Sequence, residues 1–288
     1  MYFKEHKMKI VENKKFPDER ALYGAVGVRL VNCQFDGEED GESALKEARN
    51  IELENCYMNL RYPLWHDVGV NLLDVSMTEN CRAALWYTED VTADNCRMLG
   101  IKALRECKNI NIRNSKIVSP EFGWRSHYVT VSDSEITSEY LFLMATNVNL
   151  SNVQFKGKYS FQYVENVTVE DSVLDTKDAF WHAKNVTVKN CVVKGEYLGW
   201  YSQGLTFVDC TIIGTQPLCY CEDLTLINCK MQNTDLSFEY SDVQATVQGN
   251  IVSVKNPRSG NIVADSIGEV ICTDDSKYPC SCAIKTKR

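Results

Sequence analysis

Hydrophobic and polar residues alternate in a nine-residue phrase that recurs along most of the chain. It reads Asn50-Ile51-Glu52-Leu53-Glu54-Asn55-Cys56-Tyr57-Met58 and returns at 109–117 and 185–193. Its first apolar residue falls at Val28, Ile51, Val70, Val91, Ile110, Val129, Val148, Val167, Val186, Leu205, Leu224, Val243 and Ile262. The spacings are 23, 19 and 21, then 19 throughout. Alternation with period two predicts strands with one buried face. A fixed period of this length predicts a solenoid of stacked coils.

Each phrase divides into two strands around an Asn or Asp: Asn55, Asp74, Asn95, Asn114, Asp133, Asn152, Asp171, Asn190, Asp209 and Asn228. These residues tolerate left-handed backbone and bond their own main chain in turns. Stacked one per coil, they are expected to bond each other. The small residue that follows is expected to point inward. It is Cys33, Cys56, Cys96, Cys191, Cys210 and Cys229 in six coils, which reads as one interior column of buried thiols. A third strand is expected before each phrase. Its inward column runs Leu22, Leu45, Leu64, Leu85, Leu104, Gly123, Phe142, Phe161, Phe180, Gly199 and Leu218.

Three strands per 19-residue coil predict an all-β fold, a single-stranded right-handed parallel β-helix of about 13 coils. Equal hexapeptides, which a left-handed form needs, are absent, and so is the leucine-rich phrase. The expected organisation is one domain: an N-terminal cap over 1–20, repeat coils over 21–268, and a C-terminal cap and tail over 269–288. Residues 8–12 read as a strand and 1–7 as an extension. After Asp242 the phrase degrades, so the last coils are expected to be irregular.

Composition narrows the partners. The 288 residues carry a formal net charge of -8, which argues against nucleic acid. No apolar run is long enough for a membrane helix, and the opening residues lack the apolar stretch of a secretory signal. A cytoplasmic location is the expectation. The 13 cysteines include no C-x-x-C pair and His is scarce at four, so reduced thiols fit better than a disulfide scaffold or a metal site. A Gly-rich phosphate loop, an H-E-x-x-H motif and a dense Asp cluster are all missing, so neither cofactor nor metal is expected.

Several segments carry a family likeness. They include Asp40-Gly41-Glu42-Ser43-Ala44-Leu45-Lys46-Glu47, Arg61-Tyr62-Pro63-Leu64-Trp65-His66, Cys81-Arg82-Ala83-Ala84-Leu85-Trp86-Tyr87, Asp178-Ala179-Phe180-Trp181-His182 and Lys255-Asn256-Pro257-Arg258-Ser259-Gly260. Through them nearly the whole chain resembles a bacterial family of uncharacterised proteins with the pectin-lyase-like right-handed β-helix. The resemblance implies a fold and no reaction. The wider superfamily includes polysaccharide lyases and glycosidases, but fold does not imply function.

Register places outward residues in columns. One column reads Lys46, Trp65, Trp86, Arg105, Trp124, Leu143, Gln162, Trp181, Trp200 and holds every tryptophan of the chain. The next reads Glu47, His66, Tyr87, Glu106, Arg125, and Arg61, Arg82 and Lys102 gather at the preceding bend. A bland reading is an aromatic stack that stiffens one face. A sharper one is a binding face formed by Lys46, Glu47, Arg61, Trp65, Arg82, Trp86, Lys102, Trp124 and Arg125. Indole faces suit sugar rings, and clustered cations want an anion, either Glu42, Glu79 or Glu121, or a ligand carboxylate or phosphate. An oligosaccharide or sugar phosphate is therefore the expected ligand, with a second copy of the chain as a further candidate partner. The alternative is a carbohydrate lyase or hydrolase on an acidic oligosaccharide. Glu106, His66 and Arg105 are its weak catalytic candidates; Glu47 and Glu106 stand too many coils apart to act together, while Glu106 with Glu121 is closer in register.

Overall fold

A computed structural model describes residues 8–38 and 41–287. The expected 1–7 extension, Asp40 and Arg288 lie outside them. The described residues form strands and turns with no helix. They divide into two compact units, Met1–Thr137 and Ser138–Arg288. Each is a parallel β-solenoid.

In the first unit seven strands that open a coil stack in parallel, beginning at Lys9–Glu12 and Val26–Val31 and ending at His127–Glu139. Their register matches the repeat: Val28 pairs with Ile51, Ile51 with Val70, Val70 with Val91 and Ile110 with Val129. Alternation decides the buried face, so Ile51 and Leu53 lie inside while Glu52 and Glu54 do not. The turn residues Asn32, Asn55, Asp74, Asn95, Asn114 and Asp133 all take left-handed φ between 49° and 55°. Their side chains form ladders as expected, Asn55 donating to Asn32 at 2.8 Å and Asn95 to Asp74 at 2.5 Å. A second left-handed column opens each first strand, with Asn50, Asp90 and Asn109. Gly69 holds this place in one coil at φ 73°, where a Cβ would stand 2.8 Å from the Asn50 amide oxygen.

The second unit has eight such strands, from Thr146–Lys158 to Ala283–Thr286. Here the inner wall is aromatic. Phe142, Phe161 and Phe180 are fully buried, and the rings of Phe161 and Phe180 stack at 5.0 Å. Gly199 continues the column, where a Cβ would meet the side chains of Leu218 at 2.8 Å and Leu205 at 2.9 Å, and Phe207 turns its ring edge-on to Phe180 at 6.5 Å. Burial of each such ring contributes roughly 1.5–3 kcal/mol.

The structure corrects the sequence in four places. The solenoid has about 15 turns rather than 13, because Lys9–Glu12 and Ala283–Thr286, in segments read as caps, are coil strands. Among the described residues, the third strand forms only at Leu64–Trp65, Leu85–Trp86 and Leu104–Arg105. Elsewhere that wall is a turn in which left-handed residues recur at every second position, as at Tyr159, Phe161 and Tyr163. Strand or turn, its inward column stays inward, with Leu64, Leu85, Leu104, Phe142, Phe161 and Phe180 all buried. One coil near the end shortens: Val243 pairs with Gly260, and Ile262 pairs with Ala245. The offset between coils falls by one at the register shift before the pair Cys229 and Val247 and is two short by the pair Ser237 and Val254. Finally, Cys272 and Cys280 form a disulfide, whereas the six cysteines of the interior column are free and buried.

Candidate functional site

The aromatic and basic residues of the first unit meet on one outward face. Strand alternation turns Leu64 and Leu85 inward and leaves Trp65 and Trp86 half-buried on the outside. The indoles lie 5.1 Å apart and 2° from parallel. Lys46 sits over Trp65 at 5.5 Å, and Arg105 lies between Trp86 at 4.9 Å and Trp124 at 5.7 Å. The column is thus one continuous stack of cations and rings, and cation–π attraction holds its steps. Its indole faces are turned toward each other, not toward solvent. The edges are anchored as well: Trp65 Nε1 donates to the Ala83 carbonyl and Trp86 Nε1 to that of Lys102. Each indole therefore reaches the preceding bend of the next coil and joins the two expected clusters. The bland reading of the column, a stack that stiffens the face, describes this geometry.

The residue after each stacked one turns the corner. Glu47, His66, Tyr87, Glu106 and Arg125 all have left-handed φ between 52° and 65°. That conformation costs a non-glycine residue roughly 1–2 kcal/mol. It throws the side chain outward, and His66 stacks on Tyr87 at 4.8 Å.

Arg49, Arg61, Lys102, Arg105 and Arg125 have carboxylate neighbours. Arg61 Nε lies 3.5 Å from Glu42, which also faces Arg20 at 3.7 Å. Lys102 lies 3.4 Å from Glu121. Arg105 contacts Glu106 at 3.4 Å, Arg125 approaches the same Glu106 at 4.0 Å, and Arg49 pairs with Glu47 at 3.6 Å. Arg82 stands exposed at the bend between Arg61 and Lys102. Of the carboxylates weighed from sequence, Glu42 and Glu121 supply the neutralising charge. Glu106, His66 and Arg105 do not converge as an acid, a base and a neutraliser: Glu106 is engaged by two guanidiniums, and His66 belongs to a stack two coils away. No group of metal-ligating side chains forms among the described residues.

One residue beneath this face escaped the sequence reading. Asp67 is fully buried, its Oδ1 accepts from the Ala48 N–H at 2.8 Å, and its Oδ2 has no partner. Burial pushes its carboxyl up to about 8. The available signal was an acid in an inward column otherwise built of Ala48, Thr88, Cys107 and Ser126.

The second unit carries its own ladders. Trp181 and Trp200 stack at 5.5 Å, and Tyr163, His182, Tyr201 and Tyr220 form a row of stacked rings at the corner. Their indoles are anchored the same way, Trp181 to the Tyr197 carbonyl and Trp200 to that of Gln216.

Comparison with known proteins places the chain in a family. The family described as "Protein of unknown function (DUF3737)" matches residues 9–285, and the chain belongs to it. No curated protein matches the sequence. Among solved structures, the chain is similar to the Streptococcus pneumoniae surface protein and adhesin PfbA, with 10% identity over 94% of this chain and 91% of that one and a TM-score of 0.36. It is also similar to the Azotobacter vinelandii mannuronan C-5 epimerase AlgE4 A-module, with 10% identity, 96% and 89% coverage and a TM-score of 0.31. A third is a tailspike protein mutant of the E. coli bacteriophage HK620 in complex with a hexasaccharide, with 10% identity, 96% and 69% coverage and a TM-score of 0.29.

Proposed function

We propose that this member of a family of unknown function is a non-catalytic binding protein, and that the first unit holds a neutral, polyhydroxylated, sugar-like chain along its bend. The observation that carries this reading is the paired state of the cations. Arg61 with Glu42, Lys102 with Glu121, and Arg105 and Arg125 with Glu106 present donors beside acceptors on the coils before and after that of Arg82. A row of that kind matches hydroxyl groups, each of which donates and accepts. A carboxylate or phosphate would first have to displace the resident glutamates, so an anionic sugar gains little here. The stacked indoles form the stiff base of the face and the exposed rings of His66 and Tyr87 its apolar flank.

The enzyme alternative lacks a pair of carboxyls available for proton transfer, since Glu106 and Glu121 both serve as counter-ions.

Tryptophan fluorescence tests the proposal, because Trp65 and Trp86 underlie the face. Neutral oligosaccharides at millimolar concentration should shift the emission, and raising the salt should change their affinity little. Arg82→Ala with Lys102→Ala should abolish the response without moving the Tm. If uronic oligosaccharides or sugar phosphates alone produce a salt-sensitive response, the ligand is anionic and the paired-charge argument fails. Silence toward every sugar class would sink the sugar reading and favour assembly through this face.

A further inference from the structure

Asp67 occupies a column whose polar members Thr88, Cys107 and Ser126 all donate to main-chain carbonyls, and Ser126 also accepts from the main-chain N–H one coil earlier. Ser126 accepts from Cys107 N–H at 3.2 Å and donates to the Trp124 carbonyl at 3.4 Å. Thr88 donates to the carbonyls of Leu64 and Trp86, and Cys107 to those of Leu85 and Arg105. In each case one acceptor is the residue two back, and for Thr88 and Cys107 the other is the inward leucine one coil earlier. By the register of Thr88 and Cys107, the corresponding acceptors for Asp67 are the carbonyls of Trp65 and Leu45. Its accepting half is made, through Ala48. Its donating half requires a proton on Oδ2, the oxygen left without a partner.

We infer that Asp67 is held as a neutral carboxylic acid donating to the main chain of the ladder, and that its ionisation loosens the corner bearing Lys46, Glu47, Trp65 and His66. A carboxylate there would point a buried charge at carbonyl oxygens, and an uncompensated buried charge is strongly destabilising. The charged groups around it do not compensate. Arg49 spends its guanidinium on the carbonyls of Ala48 and His66 and on Glu47, and Glu47 adds negative charge. The His66 ring points outward onto Tyr87, and Thr88, the next member of the column, is neutral. Burial raises the Asp67 carboxyl to about 8 from an ordinary value of 3.8. The proton is therefore present at pH 6 and lost progressively toward pH 9. Because the folded value is raised, the stabilisation is complete below about pH 4 and declines as pH rises toward 8.

The second half of the inference, control of the face by pH, rests on the binding reading above. The first half does not. Thermal melting of the full chain from pH 5 to 9 compares wild type with Asp67→Asn, whose amide supplies both an acceptor and a donor. Wild type should lose Tm across this range, while Asp67→Asn should stay level and melt higher than wild type at pH 8.5. Asp67→Ser, the residue of Ser126, serves if the amide variant fails to fold. A carbon-13 spectrum of the folded wild type should show one aspartate carboxyl titrating several units above the others and absent from either variant. Parallel melting profiles, or no such carboxyl, would overturn the inference. Where neutral oligosaccharides bind, wild-type affinity should fall several-fold between pH 6 and 9 and that of Asp67→Asn should not. Failure of all sugars to bind removes the binding reading and leaves the melting profiles to decide Asp67.

Discussion

At the residue scale, side chains are chosen for what they do to a corner or to a column. Asn and Asp hold the left-handed turns and bridge neighbouring coils. Small thiols fill the inward position beyond them, and burial raises their proton affinity, Cys56 and Cys96 to about 11. Cys210 lies between Cys191 and Cys229 and, like them, donates to two main-chain carbonyls, which keeps its proton in place. A thiol reagent added to native, non-reduced protein should therefore label Cys282, the free cysteine that is not buried, and leave the interior column untouched. Rapid labelling of Cys210 would refute this. Phe161 is the counterpart among large residues. Phe161→Ala should cost about 3–5 kcal/mol in chemical denaturation, because Phe142 and Phe180 are fixed by their own coils and cannot fill the space.

At the scale of the coil, close stacking of main chains sets the constraint. Gly195 in the second unit has φ 153°, and a Cβ there would meet the Thr176 carbonyl oxygen at 1.8 Å. Gly195→Ala should therefore lower stability well beyond the roughly 1–2 kcal/mol that left-handed backbone costs a non-glycine residue in an open turn. Gly249 makes the comparison, being left-handed at φ 82° with open space around its Cβ direction. If the two alanine variants melt together, the approach of the two coils is looser than described.

At the scale of the whole molecule, net charge decides which partners are admitted. With a formal charge of -8, and with many of its arginines and lysines paired to glutamate or aspartate, the chain offers polyanions no field to follow. It should pass through a heparin or DNA column at physiological salt. Retention that weakens steeply with salt would mean the paired cations release their carboxylates to a ligand.

Much of the fold was legible because a solenoid repeats its local rule. Val28, Ile51 and Val70 mark the register of the first unit directly, and Asn32 and Asn55 mark its corners. The inward columns of Leu64 and Phe161 were legible for the same reason, since alternation fixes the face of a side chain wherever the coil passes. Register also placed Lys46, Trp65, Trp86, Arg105 and Trp124 together. What it left open was direction and pairing. That the indoles stack face to face, and tie down their edges on Ala83 and Lys102, depends on the spacing of coils and the swing of each ring. That Arg61 meets Glu42, and that Asp67 keeps an oxygen with no partner, depends on atoms one coil away. The shortened coil at Val243 and Gly260 escaped because Ile262 imitates the expected phrase two residues late. Periodicity along the chain dictated which residues lie in a column. Only contacts between coils decided which groups in neighbouring columns neutralise, stack upon or desolvate one another, because those energies depend on ångström-scale distances that a repeat length does not encode.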